Sequence, residues 1–154
     1  MSAFVTRPLI ENSRWYGGAL LSFIASGEQT GGAYALLQAT VRGGESVPAH
    51  VHAHEDESFV ILDGVLRCHV GAGTIHARPG DCVFLPRGIP HAWDVESDVA
   101  RFLVLISPAG FERSFFEFST PASSLTLPPD GPPPDATVIE ALVARERELG
   151  VVYV

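Results

Sequence analysis

From Trp15 to Ile106 the apolar residues come in short runs, each cut by glycine, proline or aspartate before it reaches helical length. Runs of that length between turn residues are strands. The spacing predicts them over 18–25, 33–41, 47–52, 58–62, 65–70, 74–77, 81–85, 91–95 and 101–106. Many short, turn-bounded strands argue for an all-β barrel or sandwich. Asp63-Gly64 reads as a hairpin turn, because glycine accepts the positive φ that such a turn requires. Gly71-Ala72-Gly73 and Pro79-Gly80-Asp81 read as two further turns.

The last third has a different texture. Phe111, Phe115 and Phe118 recur at helical spacing within 110–118, which suits core or dimer packing better than a ligand box. Residues 121–135 hold six prolines and read as an extended linker that cannot be helical. Thr137-x-x-Glu140 reads as a capping box opening a helix to Leu149, with Gly150 as its stop. Residues 151–154 suit an edge strand on the barrel or on a partner. The expected division is a β-barrel domain over 1–120, the linker over 121–135, and a helix and terminal strand over 136–154.

The chain is 154 residues long, enough for one domain with a sizeable core, and 46% hydrophobic, which excludes a disordered polypeptide. Ten basic against eighteen acidic residues leave a net charge of −8, with no basic block to neutralise phosphates. Nucleic acid is therefore not an expected partner. Residues 1–10 lack a basic start followed by a long apolar run, and the stretch 19–25 is too short to span a bilayer. No membrane segment and a cytoplasmic location are expected. Cys68 and Cys82, the only cysteines, are too few for a disulfide framework and read as buried free thiols.

Within the strand-rich region the chemistry-bearing residues are spaced Gly44-x5-His50-x-His52-x4-Glu57-x6-Gly64 and Gly80-x5-Pro86-x-Gly88-x2-His91. Alternate residues of a strand share a face, so His50 and His52 point the same way. Glu57 lies five residues beyond His52, an odd step, so a turn or bulge over 53–56 must restore it to that face. From Glu57 the same parity puts Phe59 and Ile61 on the metal-facing side, and Trp93 shares a side with His91. Phe102 and His54 are further candidates for the pocket wall. His69, His76, Arg87 and Arg101 read as surface groups. Three imidazoles and one carboxylate suit one divalent transition metal (Fe, Ni, Mn, Cu or Zn), with positions left open for water, O2 or a chelating substrate. An all-cysteine zinc site is excluded by the cysteine count.

These residues match the two sequence motifs of the cupin superfamily. Gly44, His50, His52, Glu57 and Gly64 meet every fixed position of the first, and Gly80, Pro86, Gly88 and His91 match the second. The asparagine that ends the second motif is Val95 here, a departure that bears on local strand support and not on the ligands. With the segments 26–32 and 108–113, the proline linker and the short helix, the chain resembles small single-domain cupins similar to quercetin 2,3-dioxygenase. The resemblance implies a jelly-roll barrel with a short C-terminal helical extension and a metal bound by His50, His52, Glu57 and His91.

The activity so implied is a metal-dependent dioxygenase acting on a small aromatic or enolisable substrate, with Glu57 as both ligand and catalytic base. A metal-dependent isomerase, lyase or decarboxylase is the alternative, for which the chain offers His54, Tyr16 and Tyr34 as further acid–base groups. A non-catalytic small-molecule or metal-binding cupin is the third. A small-molecule substrate with O2, and a homodimer formed through 151–154 or the Phe111/Phe115/Phe118 face, complete the expected partners.

Overall fold

The computed structural model describes residues 2–154. Twelve strands form two antiparallel sheets that face each other as a jelly roll. In chain order they are β1 (Ser13–Tyr16), β2 (Ala19–Ala25), β3 (Ala35–Arg42), β4 (Ser46–His52), β5 (Asp56–Asp63) and β6 (Leu66–Val70), followed by β7 (Gly73–Ala77), β8 (Cys82–Leu85), β9 (His91–Val95), β10 (Val99–Ser107), β11 (Thr120–Pro121) and β12 (Val151–Tyr153). Three α-helices accompany them, α1 (Gly27–Thr30), α2 (Glu112–Glu117) and α3 (Ala136–Glu148), with one 3-10 turn over Ile10–Asn12. The larger sheet runs β11-β1-β2-β3-β10-β5-β8 and the smaller β12-β4-β9-β6-β7.

Each strand expected from the sequence is present, and alternation builds the core between the sheets. In β3 the buried residues are Ala35, Leu37, Ala39 and Val41, and in β10 they are Ala100, Phe102, Val104 and Ile106. These two long strands pair along their whole length, from Val99 opposite Arg42 to Ile106 opposite Ala35. Residue i and residue i+2 thus share one dry face while the residues between them meet water.

One turn differs from its sequence reading. Asp63-Gly64 does not join hairpin partners, because both edges of β5 are already taken, by β10 and by β8. The chain instead crosses to the other sheet, where β6 pairs with β7 and β9. Gly64 has φ of 78°, and an added Cβ would run into the Val99 carbonyl and Ala100. Glycine is required there for two reasons at once.

The C-terminal segment shows two further differences. Helix α3 is capped by Asp135, whose carboxylate accepts from the Thr137 N–H (2.9 Å) and hydroxyl (2.8 Å), so Thr137 is a donor to the cap and not the cap itself. Aspartate is the stronger N-cap and sits one residue before the first helical position. β12 pairs with β4 of its own chain, with Tyr153 opposite His50, and Phe111 is buried inside the fold. Of the surface offered by sequence to a second copy, Val151 and Phe111 are thus used internally, while Val152 and Val154 remain exposed. No helix among the described residues is long and apolar enough to cross a membrane.

The cysteines also part company. Cys68 is fully buried, and burial, with the charge of Asp94 adding to it, pushes its thiol up to about 11. Cys82 is exposed, because in β8 it alternates with the inward-facing Val83 and Leu85. We expect a thiol reagent to label one cysteine of the native protein, Cys82, and to reach Cys68 only after denaturation. Rapid labelling of both would show this strand parity to be wrong.

Candidate metal centre

His50 and His52 stand two apart on β4, and both side chains point between the sheets. β9 lies beside β4 in a register that sets His91 directly opposite His50. The odd step from His52 to Glu57 has a simple cause: residues 53–55 carry the chain from the smaller sheet to the larger, so Glu57 faces the histidines from across the sandwich. Four ligand atoms, one from each residue, lie within 4.8 Å of one another, and all four residues are buried. Oε2 of Glu57 is 3.3 Å from Nε2 of His91 and 3.5 Å from Nε2 of His52.

The loop before His91 is tied down on two sides. The Gly88 N–H donates to the His52 carbonyl at 2.8 Å. Arg87 donates to Asp56 from its backbone N–H (2.8 Å) and through both arms of its guanidinium (3.1 and 2.7 Å). These bonds hold Asp56 away from the site and hold His91 in line with His52 and Glu57. Val95, where the motif has asparagine, keeps its strand through backbone bonds instead. Its N–H donates to the Glu45 carbonyl at 3.0 Å, and its carbonyl accepts from Gly44 at 3.1 Å.

Ring orientation fixes which nitrogen is free. Nδ1 of His50 is 2.8 Å from the Pro48 carbonyl and Nδ1 of His91 is 3.2 Å from the Ile89 carbonyl. A carbonyl only accepts, so Nδ1 carries the proton in each ring and Nε2 keeps its lone pair toward the cluster. His52 has Glu55 in that role, with Oε2 3.5 Å from Nδ1. Neither ring nitrogen of His52 completes a hydrogen bond within the protein. Buried polar atoms without partners are rare, and a cation held between His52, His91 and Glu57 would give Nε2 its partner. The residues present therefore fit a metal ion.

The electrostatics agree. Burial, reinforced by the neighbouring imidazoles, depresses the His50 pKa to about 4 despite the opposing Pro48 bond, leaving a neutral ring ready to ligate. Burial opposes a charge on His52, but the Glu55 and Glu57 carboxylates outweigh it and raise its pKa. Burial likewise opposes ionisation of Glu57, and the surrounding histidines overcome this and lower its pKa.

A cavity of about 270 Å³ opens off His50 and Glu57 toward Gly17, Glu45 and Ser46. Its walls include Phe59, Trp93 and Phe102, which pack on one another with centroids 5.3–6.1 Å apart. Ile61 is buried in the core but does not reach the cavity. His54 is exposed on the 53–55 turn, outside the cavity, because that turn runs over the surface between the sheets. Phe111 and Phe115, read from sequence as core or dimer residues, line the cavity, with Phe111 edge-on to His52 at 4.6 Å. Sequence reasoning missed Glu55, Glu146 and Tyr153. Glu55 looks like any polar turn residue, and Glu146 is hidden in the charge run Arg145-Glu146-Arg147-Glu148.

A jelly roll that gathers three histidines and a glutamate between its sheets defines a class of protein: the chain belongs to the cupin superfamily. The Cupin domain model matches residues 37–106, which contain all four residues of the cluster. Quercetin 2,3-dioxygenase of Bacillus subtilis (strain 168) is 23% identical over 114 residues, covering 74% of this chain and 34% of that protein. The chain thus spans about a third of the length of that relative. An uncharacterised protein of Streptomyces coelicolor is 31% identical over 91 residues, 59% of this chain and 81% of that one. Among solved structures, KdgF from Halomonas sp. superposes with a TM-score of 0.62 at 15% identity, covering 71% of this chain and 96% of that one. Identity that low speaks to the fold alone.

Two predictions follow the two supports of the cluster. Glu55→Gln removes the charge behind His52 and should weaken metal affinity about 10- to 100-fold in chelator competition. Unchanged affinity would mean that Glu55 does not orient His52. Arg87 holds the Asp56 carboxyl down at about 2 against an ordinary 3.8. A depressed carboxylate stabilises the fold above its unfolded pKa and loses that contribution as pH falls through the folded one. The melting-temperature gap between wild type and Asp56→Asn should therefore be constant above about pH 5 and close from about pH 4 toward pH 2. A gap that widens on acidification would contradict the pairing.

Proposed function

We propose that the chain is a metal-dependent dioxygenase that cleaves a carbon–carbon bond of a small, neutral aromatic or enolisable substrate. The observation that carries this reading is the cavity beside the cluster: it is walled by aromatic and aliphatic side chains, and no lysine or arginine among the described residues lines it. Apart from the metal itself, a carboxylate substrate entering there would meet Glu45, Glu57 and Glu146 and no cationic side chain. The likeness to a quercetin 2,3-dioxygenase supports the same chemistry.

A divalent transition metal held by His50, His52, Glu57 and His91 would supply Lewis acidity and a common site for O2 and a substrate oxygen. The residues do the rest. Glu57, whose pKa the histidines lower, accepts the proton of the substrate hydroxyl or enol and returns it to the product. His50 and His91 keep their orientation through the Pro48 and Ile89 carbonyls. Phe59, Trp93, Phe102 and Phe111 hold the ring and exclude water from reactive species. Both oxygen atoms enter the product as one carbon–carbon bond breaks, so no external reductant is consumed.

A metal-dependent isomerase or lyase is the second reading, favoured by the acid–base groups Tyr16, Glu146 and Tyr153 in the cavity wall. Oxygen consumption separates the two. Purified protein repleted with iron, nickel, manganese or copper should bind about one ion per chain and consume O2 with phenolic or diketone substrates. His50→Ala should lose the ion, and Glu57→Ala should lower O2 uptake by at least about 100-fold. Full metal occupancy with no O2 consumption across such a panel would sink the dioxygenase and leave the isomerase or lyase.

A further inference from the structure

α3 buries one residue, and it is a charged one. Glu146 is 1% exposed while Val138 and Ile139 of the same helix lie on the surface. An apolar residue would fill that place at less cost, since taking a carboxyl out of water is unfavourable. Glu146 is nevertheless held with care. The Ser114 hydroxyl donates to Oε1 at 3.0 Å and the Tyr153 hydroxyl to Oε2 at 2.7 Å. Ser114 comes from α2 and Tyr153 from β12, so three separate elements converge to aim one carboxyl.

Its position is in the wall of the cavity, together with Tyr153 and Tyr16. The Tyr153 ring is 5.8 Å from the His50 ring, which puts this polar corner beside the metal cluster. Burial raises the Glu146 pKa against the two hydroxyl bonds, and the charges of His52 and Glu57 reach it as well. Each carboxylate oxygen has two acceptor positions, and Ser114 and Tyr153 occupy one apiece. Acceptor capacity remains in a cavity that is otherwise largely hydrocarbon. The cavity volume of about 270 Å³ falls just below the roughly 300–1,000 Å³ of sites for drug-sized ligands, which suits a small occupant such as a single ring.

We propose that Glu146 is a specificity-determining residue: it accepts a hydrogen bond from a second hydroxyl of the substrate, so that the cavity selects dihydroxylated single-ring aromatics over monohydroxylated ones. This inference rests on the reading of the cavity as a site for neutral aromatics. Such a site rejects an analogue lacking the hydroxyl, because the buried acceptor is then left without its partner.

The test is calorimetric binding of catechol, resorcinol, hydroquinone and phenol to zinc-loaded protein, in which no oxygen chemistry intervenes. Wild type should bind its preferred diol at least about tenfold more tightly than phenol. In Glu146→Gln that ratio should fall to about threefold or less. Ser114→Ala, which removes a support but keeps the carboxyl, should melt at lower temperature and retain a ratio above that of Glu146→Gln. If Glu146→Gln does not fold, Glu146→Asp withdraws the carboxylate while keeping its charge and should lower the ratio at least about threefold. A stable Glu146 variant that lowers the melting temperature but keeps the wild-type ratio would overturn the inference and make Glu146 a tether. Equal binding of phenol and all three diols to wild type would overturn it too, while leaving the aromatic reading standing. Binding of none of the four would remove both.

Discussion

The antiparallel pairing of His50 with His91 across β4 and β9 is the contact on which the rest depends. It sets two imidazoles on neighbouring strands with ring centroids 4.4 Å apart. The period of two then adds His52 to the same face, and the crossing to the opposite sheet brings Glu57 over them. A slip of one residue in β4 would turn both of its histidines outward. Several neighbouring features pin that register. Gly88 is bonded to His52, Arg87 to Asp56, and β12 runs along the other edge of β4.

The interior so formed is electrically uneven. Around the cluster, imidazoles and carboxylates compensate one another: Glu57 stays ionised because histidines surround it, and Glu55 backs His52 from outside. A few ångströms along the cavity the walls become largely hydrocarbon and aromatic, with Glu146, Tyr153 and Tyr16, and Glu45 and Ser46 toward Gly17, as the polar exceptions. That contrast sets a charged end of the cavity against an apolar one, a division that a uniformly apolar pocket does not provide.

Much of this was legible in the sequence, for a physical reason. Turn residues and strand alternation are local properties, so the strands, the shared face of His50 and His52, and the inward side of Phe59 could be read directly. The motif spacing added Glu57 and His91. Properties that depend on which strands pair were not legible. Asp63-Gly64 looks like a hairpin from inside its own segment, and only the occupied edges of β5 show it to be a crossover. Cys82 shares its apolar surroundings in sequence with Cys68 but faces water. Glu55, His54 and Glu146 are polar residues in polar contexts, and nothing local says that the first and third are buried and the second is not.

The attachment of β12 has a dynamic consequence. β12 is three residues long and lies at the outer edge of the smaller sheet, where β4 is its one strand partner. Short edge strands open at lower free energy than the centre of a sheet, exposing their amides to solvent exchange. Here an opening would also carry Tyr153 out of the cavity wall and release one support of Glu146. Occupancy of the cavity and closure of the strand are then thermodynamically linked, so a ligand touching that wall slows amide exchange in β12 without any contact to its backbone.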